Sequence, residues 1–255
     1  MPAFDKTHLD VNGVDTVVMA AGEGDPLVFF HGGGVIEGVE CLLPLAERFR
    51  LVVPYHPGFG GSASDPSATG IGSWVDHYVE LFELLRIDEF ALVGHSLGGW
   101  LAAVFALDHG QRLRSLVLAS PFGLDAPGHP LANLGAVPPE EVYALLTSDP
   151  SIFADRLPVP LDEEFLAARR REGQSIGQVV HGPFDPTLAG RLPSLTTPTL
   201  LLWGEVDRVI PVEHLPIWES AAANVESRVF PGRGHLLFWE DPDAVATALA
   251  FSEAR

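Results

Sequence analysis

Cysteine and lysine are almost missing from this sequence: Cys41 and Lys6 stand alone among 255 residues. A single cysteine excludes an intramolecular disulfide. With the histidines scattered, it also leaves no zinc-ligand spacing, so neither a metal nor an organic cofactor is expected. Positive charge is scarce as well, with Lys+Arg 15 against Asp+Glu 34 and a net charge of −19. Nucleic acid is disfavoured as a partner, because its phosphates need Lys and Arg to displace counterions. Anionic membrane surfaces are disfavoured for the same reason. No apolar run approaches the length that spans a bilayer, and residues 1–10 lack the basic flank and apolar stretch of a signal peptide. The expectation is a cytoplasmic protein acting on a small molecule, with no nucleic-acid or membrane partner.

Apolar material is plentiful at 47%, enough for a sizeable core. It comes in short bursts at 16–21, 26–30, 51–55, 90–94 and 113–119, each bounded by Gly, Pro or charge, which predicts buried strands. Leu27-Val28-Phe29-Phe30 and Leu116-Val117-Leu118 show no polar alternation, as in strands covered on both faces of a parallel sheet. Between the strands, Val75, Tyr78, Val79, Phe82 and Leu85 form a helical stripe, and 97–109 predicts a second helix rich in Ala and Leu. The rhythm breaks after Phe122. Residues 125–190 carry many prolines and no convincing strand, with helices predicted over 138–146 and 161–171. Strands resume at 199–203 and 227–230, and a final helix is predicted over about 242–252. Alternating strand and helix signals predict an α/β sheet interrupted by a helical insertion.

The pattern G-x-S-x-G occurs twice, as Gly94-His95-Ser96-Leu97-Gly98 and as Gly173-Gln174-Ser175-Ile176-Gly177. Context separates the copies. The first lies between a predicted strand and a predicted helix, the setting of a sharp turn that exposes a nucleophilic serine. The second follows the charged Arg169-Arg170-Arg171-Glu172 and is read as a loop. Ser96 would cap the following helix, whose free N–H groups favour negative charge. The Leu97 N–H would then face an oxyanion formed by Ser96 attack. His31-Gly32-Gly33-Gly34 follows another strand, and its glycines let backbone N–H groups approach a ligand. Gly33 is favoured over Gly34 as the second oxyanion donor, and His31 is expected to shape that loop. Asp207 follows the strand at 199–203, with Glu205 and Asp125 as competing acids. Gly234-His235 follows the strand at 227–230. Ser96, Asp207 and His235 thus stand in the chain order of one class of serine hydrolases.

Taken together, these segments and Pro57-Gly58-Phe59-Gly60-Gly61-Ser62 resemble a capped member of the α/β-hydrolase superfamily. The resemblance implies an eight-stranded, mostly parallel sheet. It also implies a core of 1–124 and 191–255 and a helical cap at 125–190, inserted after the sixth strand. The serine at the elbow argues against relatives that use an aspartate there. The chemistry expected is acyl transfer by Ser96, with His235 as base, Asp207 as the acid that orients it, and Gly33 and Leu97 as the oxyanion hole. Carboxylic ester hydrolysis is the first reading. Hydrolytic C–C cleavage of a ring-fission dienoate is the second, with Arg169–171 or Arg191 as possible carboxylate partners, although that arginine run reads as a solvated helix face. A ligand receptor on the same fold is the third. Phe122, Trp218, Leu236 and Phe238 are offered as pocket-lining residues. The cap, which holds none of the catalytic candidates, is expected to select substrates and to contribute little to the chemical step.

Overall fold

The computed structural model describes residues 3–33, 38–153 and 161–255. Its centre is one sheet of eight strands: β1 (Asp5–Val11), β2 (Val14–Ala21), β3 (Pro26–Phe30), β4 (Arg50–Pro54), β5 (Phe90–His95), β6 (Leu113–Ala119), β7 (Thr199–Gly204) and β8 (Val225–Phe230). Their order across the sheet is β1-β2-β4-β3-β5-β6-β7-β8. The β1–β2 and β2–β4 pairs are antiparallel, and every other neighbouring pair is parallel. From β3 the chain steps to β4 on one side and later to β5 on the other. The carboxyl ends of β3 and β5 therefore flank the point where strand order reverses, the usual ligand crevice of an open α/β sheet.

The strands without polar alternation are the central ones. β5 and β7 are buried along their whole length, and β3 and β6 along nearly all of it, because helices cover both faces. Helix α1 (Ile71–Leu84) buries Trp74, Val75, Tyr78, Leu81 and Phe82. It packs on α2 (Leu97–His109), which is buried on every side over its first ten residues and lies against β3, β5 and β6. A second group rests on β6 and β7, made of α8 (Pro242–Glu253), the short α7 (Leu237–Glu240) and the 3₁₀ segment Val39–Glu47. The Asp241 carboxylate accepts the Asp243 N–H at the start of α8, with Pro242 in the first turn, a standard start signal.

The first strand is absent from the sequence reading. β1 has the sequence DKTHLDV and is mostly exposed, so it has no apolar burst. Its marker is Asn12-Gly13, both at positive φ (52° and 88°), in a two-residue turn between the paired Val11 and Val14. Asn-Gly is a strong hairpin signal.

The chain between β6 and β7 is helical, as expected of an insertion after the sixth strand. It contains α3 (Pro139–Leu146), α4 (Glu163–Val179) and α5 (Leu188–Arg191), with 3₁₀ turns at Leu134–Ala136 and Pro150–Phe153 and no strand among the described residues. Asp162 caps α4 through the Phe165 N–H at 2.8 Å. This helix runs eight residues past the expected end, and it contains the second G-x-S-x-G, which is therefore not a loop. Each interior glycine costs about 1 kcal/mol of helix propensity. Tertiary packing offsets it, since Glu172, Ser175 and Val179 are buried on one face.

Candidate active site

Ser96 sits where β5 turns into α2, at φ 55° and ψ −117°. A side-chain-bearing residue in that region is strained, and the surroundings hold it there. Its N–H donates to Ala119 O on β6, and its carbonyl accepts from the N–H groups of Trp100 and Phe122. The flanking glycines are steric requirements. A Cβ on Gly98 would stand 2.2 Å from Phe30 O, and one on Gly94 would stand 2.4 Å from Gly98 O. So the turn is tight because the helix start presses against β3 and β5, and Ser96 is left half-buried at the carboxyl end of the central strand.

Asp207 lies just beyond β7 and His235 just beyond β8. His235 Nδ1 donates to Asp207 Oδ2 at 2.8 Å, with both side chains buried. The other carboxylate oxygen accepts the N–H groups of Val209 and Ile210 at 2.8 and 2.9 Å. Burial pushes the Asp207 carboxyl up. The charge of His235 and the hydrogen bonds from His235, Ile210 and Val209 outweigh this and hold it below its ordinary value. A carboxylate ionised in this way keeps the proton of a neutral imidazole on Nδ1 and leaves Nε2 as a base. The competing acids lie elsewhere. Glu205 is exposed and accepts the Gly232 N–H, and Asp125 is exposed.

His95, which sequence reasoning passed over, links this pair to the elbow. Its Nε2 donates to His235 O at 2.8 Å, and the two rings lie 4.8 Å apart. Burial, followed by the charge of His235, lowers its pKa to about 3, so it serves as a neutral strut. Among the described residues no hydrogen bond joins the Ser96 hydroxyl to His235. Bonds of this kind often tighten only when substrate arrives.

The loop after β3 is braced by a second set of neutral histidines. His31 Nδ1 donates to Gly32 O, and His31 Nε2 accepts the His56 N–H at 3.0 Å. His56 Nε2 donates to His31 O at 2.8 Å, and its Nδ1 accepts the Tyr78 hydroxyl. Each ring nitrogen therefore has one role compatible with a neutral ring. Burial is the chief cause that lowers His31 to about 4 and His56 well below its ordinary value. Gly33 lies beside the elbow: a Cβ there would stand 3.7 Å from Leu97 Cβ and 3.2 Å from Ile176 Cδ1 of α4. The alternative donor Gly34 lies outside the described residues.

The fold has parallels among known proteins. A family model described as the alpha/beta hydrolase family matches residues 27–248. The chain belongs to the α/β hydrolase family. It is 27% identical to a 2-hydroxy-6-oxo-6-phenylhexa-2,4-dienoate hydrolase of Burkholderia cepacia, over 88% of this chain and 86% of that one. Among solved structures, a membrane phospholipase A superposes with a TM-score of 0.85 at 23% identity, covering 98% of this hydrolase and 86% of the phospholipase. A 2-hydroxy-6-oxo-6-phenylhexa-2,4-dienoate hydrolase from a Rhodococcus species gives 0.82 at 21% identity over the full length of both chains. At such identities these two structures speak for the fold.

In this hydrolase the arginine run of α4 is not a solvated face. Arg171 is half-buried and donates to Gly58 O and Gly60 O at 3.1 and 2.7 Å. Arg169 pairs with the buried Glu172 at 2.8 Å. Arg170 alone is exposed, paired with Glu163. The run fastens α4 to the loop around Gly58, where a Cβ would stand 2.0 Å from Ser175 Oγ. Trp218, Leu236 and Phe238, offered as pocket lining, belong to the buried core instead. Trp218 is buried in the helix α6 (Leu215–Ala221), and Phe238 packs edge-on against Phe29. Phe122 is half-buried against Trp100 beside the elbow.

Proposed function

We propose that this chain is a serine hydrolase that cleaves a carboxylic ester or a related carbonyl substrate through an acyl-enzyme. The reading rests on one observation above the rest: a buried Asp207–His235 pair at 2.8 Å beside a strained serine turn. Ser96 Oγ attacks the carbonyl carbon while His235 Nε2 takes its proton. Charge develops on the carbonyl oxygen, where the N–H groups of Leu97 and Gly33 stabilise it. His235 then protonates the leaving alcohol. Water enters, gives a proton to the same Nε2, and attacks the acyl carbon, which releases the acid and frees Ser96. Asp207 stays ionised throughout and offsets the imidazolium charge.

The relatives named for dienoate cleavage favour a second reading, hydrolysis of a C–C bond by the same residues. That substrate carries a carboxylate and needs a cation to hold it. The arginines nominated for that task already have partners: Arg169 has Glu172, Arg171 has two backbone carbonyls, and Arg191 has Asp108 at 2.6 Å. Ester hydrolysis is therefore preferred. The segment 125–190 acts as the cap in this reading, and Ile176 reaches the loop that holds Gly33. Its apolar residues would set substrate length, with one methylene worth roughly 1–3 kcal/mol.

A turnover panel decides between the readings. It pairs p-nitrophenyl esters of increasing chain length with a ring-fission dienoate. The expected result is ester turnover with a chain-length optimum that Ile176→Ala moves toward longer acyl groups. Faster turnover of the dienoate would install the second reading. Ligand-dependent thermal stabilisation with no turnover of any substrate would overturn both.

A further inference from the structure

The C-terminus of a helix leaves carbonyls without partners inside the helix. At α3 the catalytic loops supply the missing donors. Leu146 O accepts the Leu236 N–H at 2.9 Å, directly after His235. Thr147 O accepts the Arg208 guanidinium at 2.7 Å, directly after Asp207. Ser148 continues the contact, since its N–H and hydroxyl both donate to Glu240 Oε2. That same oxygen accepts the Gly234 N–H at 3.0 Å, directly before His235. Gly234 must be glycine for this packing, because a Cβ there would stand 2.8 Å from both Glu240 Oε1 and Ser148 N.

Residues 146–148 lie in the insertion, yet they hold the neighbours of both the acid and the base. The expectation that the insertion stands apart from the chemistry leaves these bonds without a purpose. A contact serving stability alone has no reason to converge on residues 208, 234 and 236, each adjacent in sequence to a catalytic group. The convergence matters because a misplacement of about 1 Å can cost on the order of 10²-fold in rate.

We propose that Glu240 and Arg208 are positioning residues that tie the base and acid loops to the end of α3, so that the Asp207–His235 pair is aligned only when the insertion is seated. The proposal rests on the serine-hydrolase reading above and adds a link between substrate enclosure and chemical competence. When α3 lifts, Leu236, Gly234 and Arg208 lose partners together, and His235 loses its fixed direction toward Ser96.

The test is steady-state kinetics of the full chain on a p-nitrophenyl ester, with active-site titration by a fluorophosphonate. Glu240→Ala is expected to lower kcat on the order of 10²-fold per titrated site, with KM nearly unchanged. Glu240→Gln keeps an amide oxygen that can accept the same N–H groups and should retain most of kcat. Arg208→Met should lower kcat about 10-fold, half of the tether remaining. It is a surface substitution and carries the test if Glu240→Ala does not fold. Native kcat per titrated site in both the Ala and Met variants would overturn the proposal. So would a loss confined to the number of titratable sites, since that is loss of fold alone. Failure of the underlying reading has a different signature: Ser96→Ala would keep its turnover.

Discussion

The two G-x-S-x-G segments share a five-residue pattern and differ in everything around it. At 94–98 the chain leaves a buried strand, turns at a serine with φ 55°, and enters a buried helix. At 173–177 it runs along α4 without interruption, and Ser175 Oγ points into a buried contact with the Gly58 loop. The glycines differ just as much. A Cβ on Gly94 or Gly98 would strike backbone within 2.4 Å, while one on Gly173 or Gly177 would meet nothing within 4 Å. A short motif thus becomes a site only where strand, helix and neighbouring loop crowd it into one conformation.

The widest separation between the copies is expected in chemistry. Ser96→Ala should abolish fluorophosphonate labelling and lower kcat by up to about 10⁶-fold, the loss seen when a serine nucleophile is removed. Ser175→Ala should change neither, and labelling at Ser175 would reverse the assignment of the two copies. The next largest effect concerns the acid. Asp207→Asn should keep the fold and lower kcat on the order of 10⁴-fold, because the imidazole tautomer is no longer fixed. Asp125→Asn should be silent, and the opposite ranking in kinetic assays would move the acid to the end of β6.

Acidity should also set the first copy apart. It contains the buried neutral His95 and lies near two more, His31 and His56, and burial lowers the pKa values of all three. Between their ordinary value near 6.5 and about 4, the unfolded chain binds protons that the folded chain refuses. Stability is therefore full above about pH 6.5 and falls as pH drops through that window. A urea midpoint that stays flat from pH 6.5 to 4 would contradict this. The smallest effects come from the glycines. Gly98→Ala should destabilise by more than about 2 kcal/mol through overpacking. Gly177→Ala, in open helical space, should stabilise by about 0.5–1 kcal/mol. Equal shifts in Tm would mean that the two environments are not as different as their geometry.

What could be read in advance follows from which forces are local. Leu27 to Phe30 and Leu116 to Leu118 announce buried strands because their apolar character survives without context. Ser96 and Asp207 could be nominated because each follows such a strand, and His235 because glycines flank it just after the mostly exposed β8. β1 stayed hidden because it owes its place to pairing with β2 rather than to apolar residues of its own. The second G-x-S-x-G is helix rather than the expected loop for a related reason: α4 continues through two glycines because one face is packed, and packing against residues more than 110 positions away leaves no local trace. The same holds for Arg171, whose two carbonyl partners lie in the Gly58 loop, and for His95, Arg208 and Glu240, whose roles depend on chain segments far away in sequence.

The attachments of α3 and α4 bear on how such chains diversify. An insertion with a loose junction could be exchanged between relatives like a tool head, and specificity would travel with it. Here one end is bonded to the loops of His235 and Asp207, and the other to the Gly58 turn through Arg171. A transplanted segment would arrive without matching anchors and leave the donors of Leu236 and Arg208 facing nothing. New substrate preferences in this lineage would therefore come more readily from point changes inside the insertion than from its wholesale replacement.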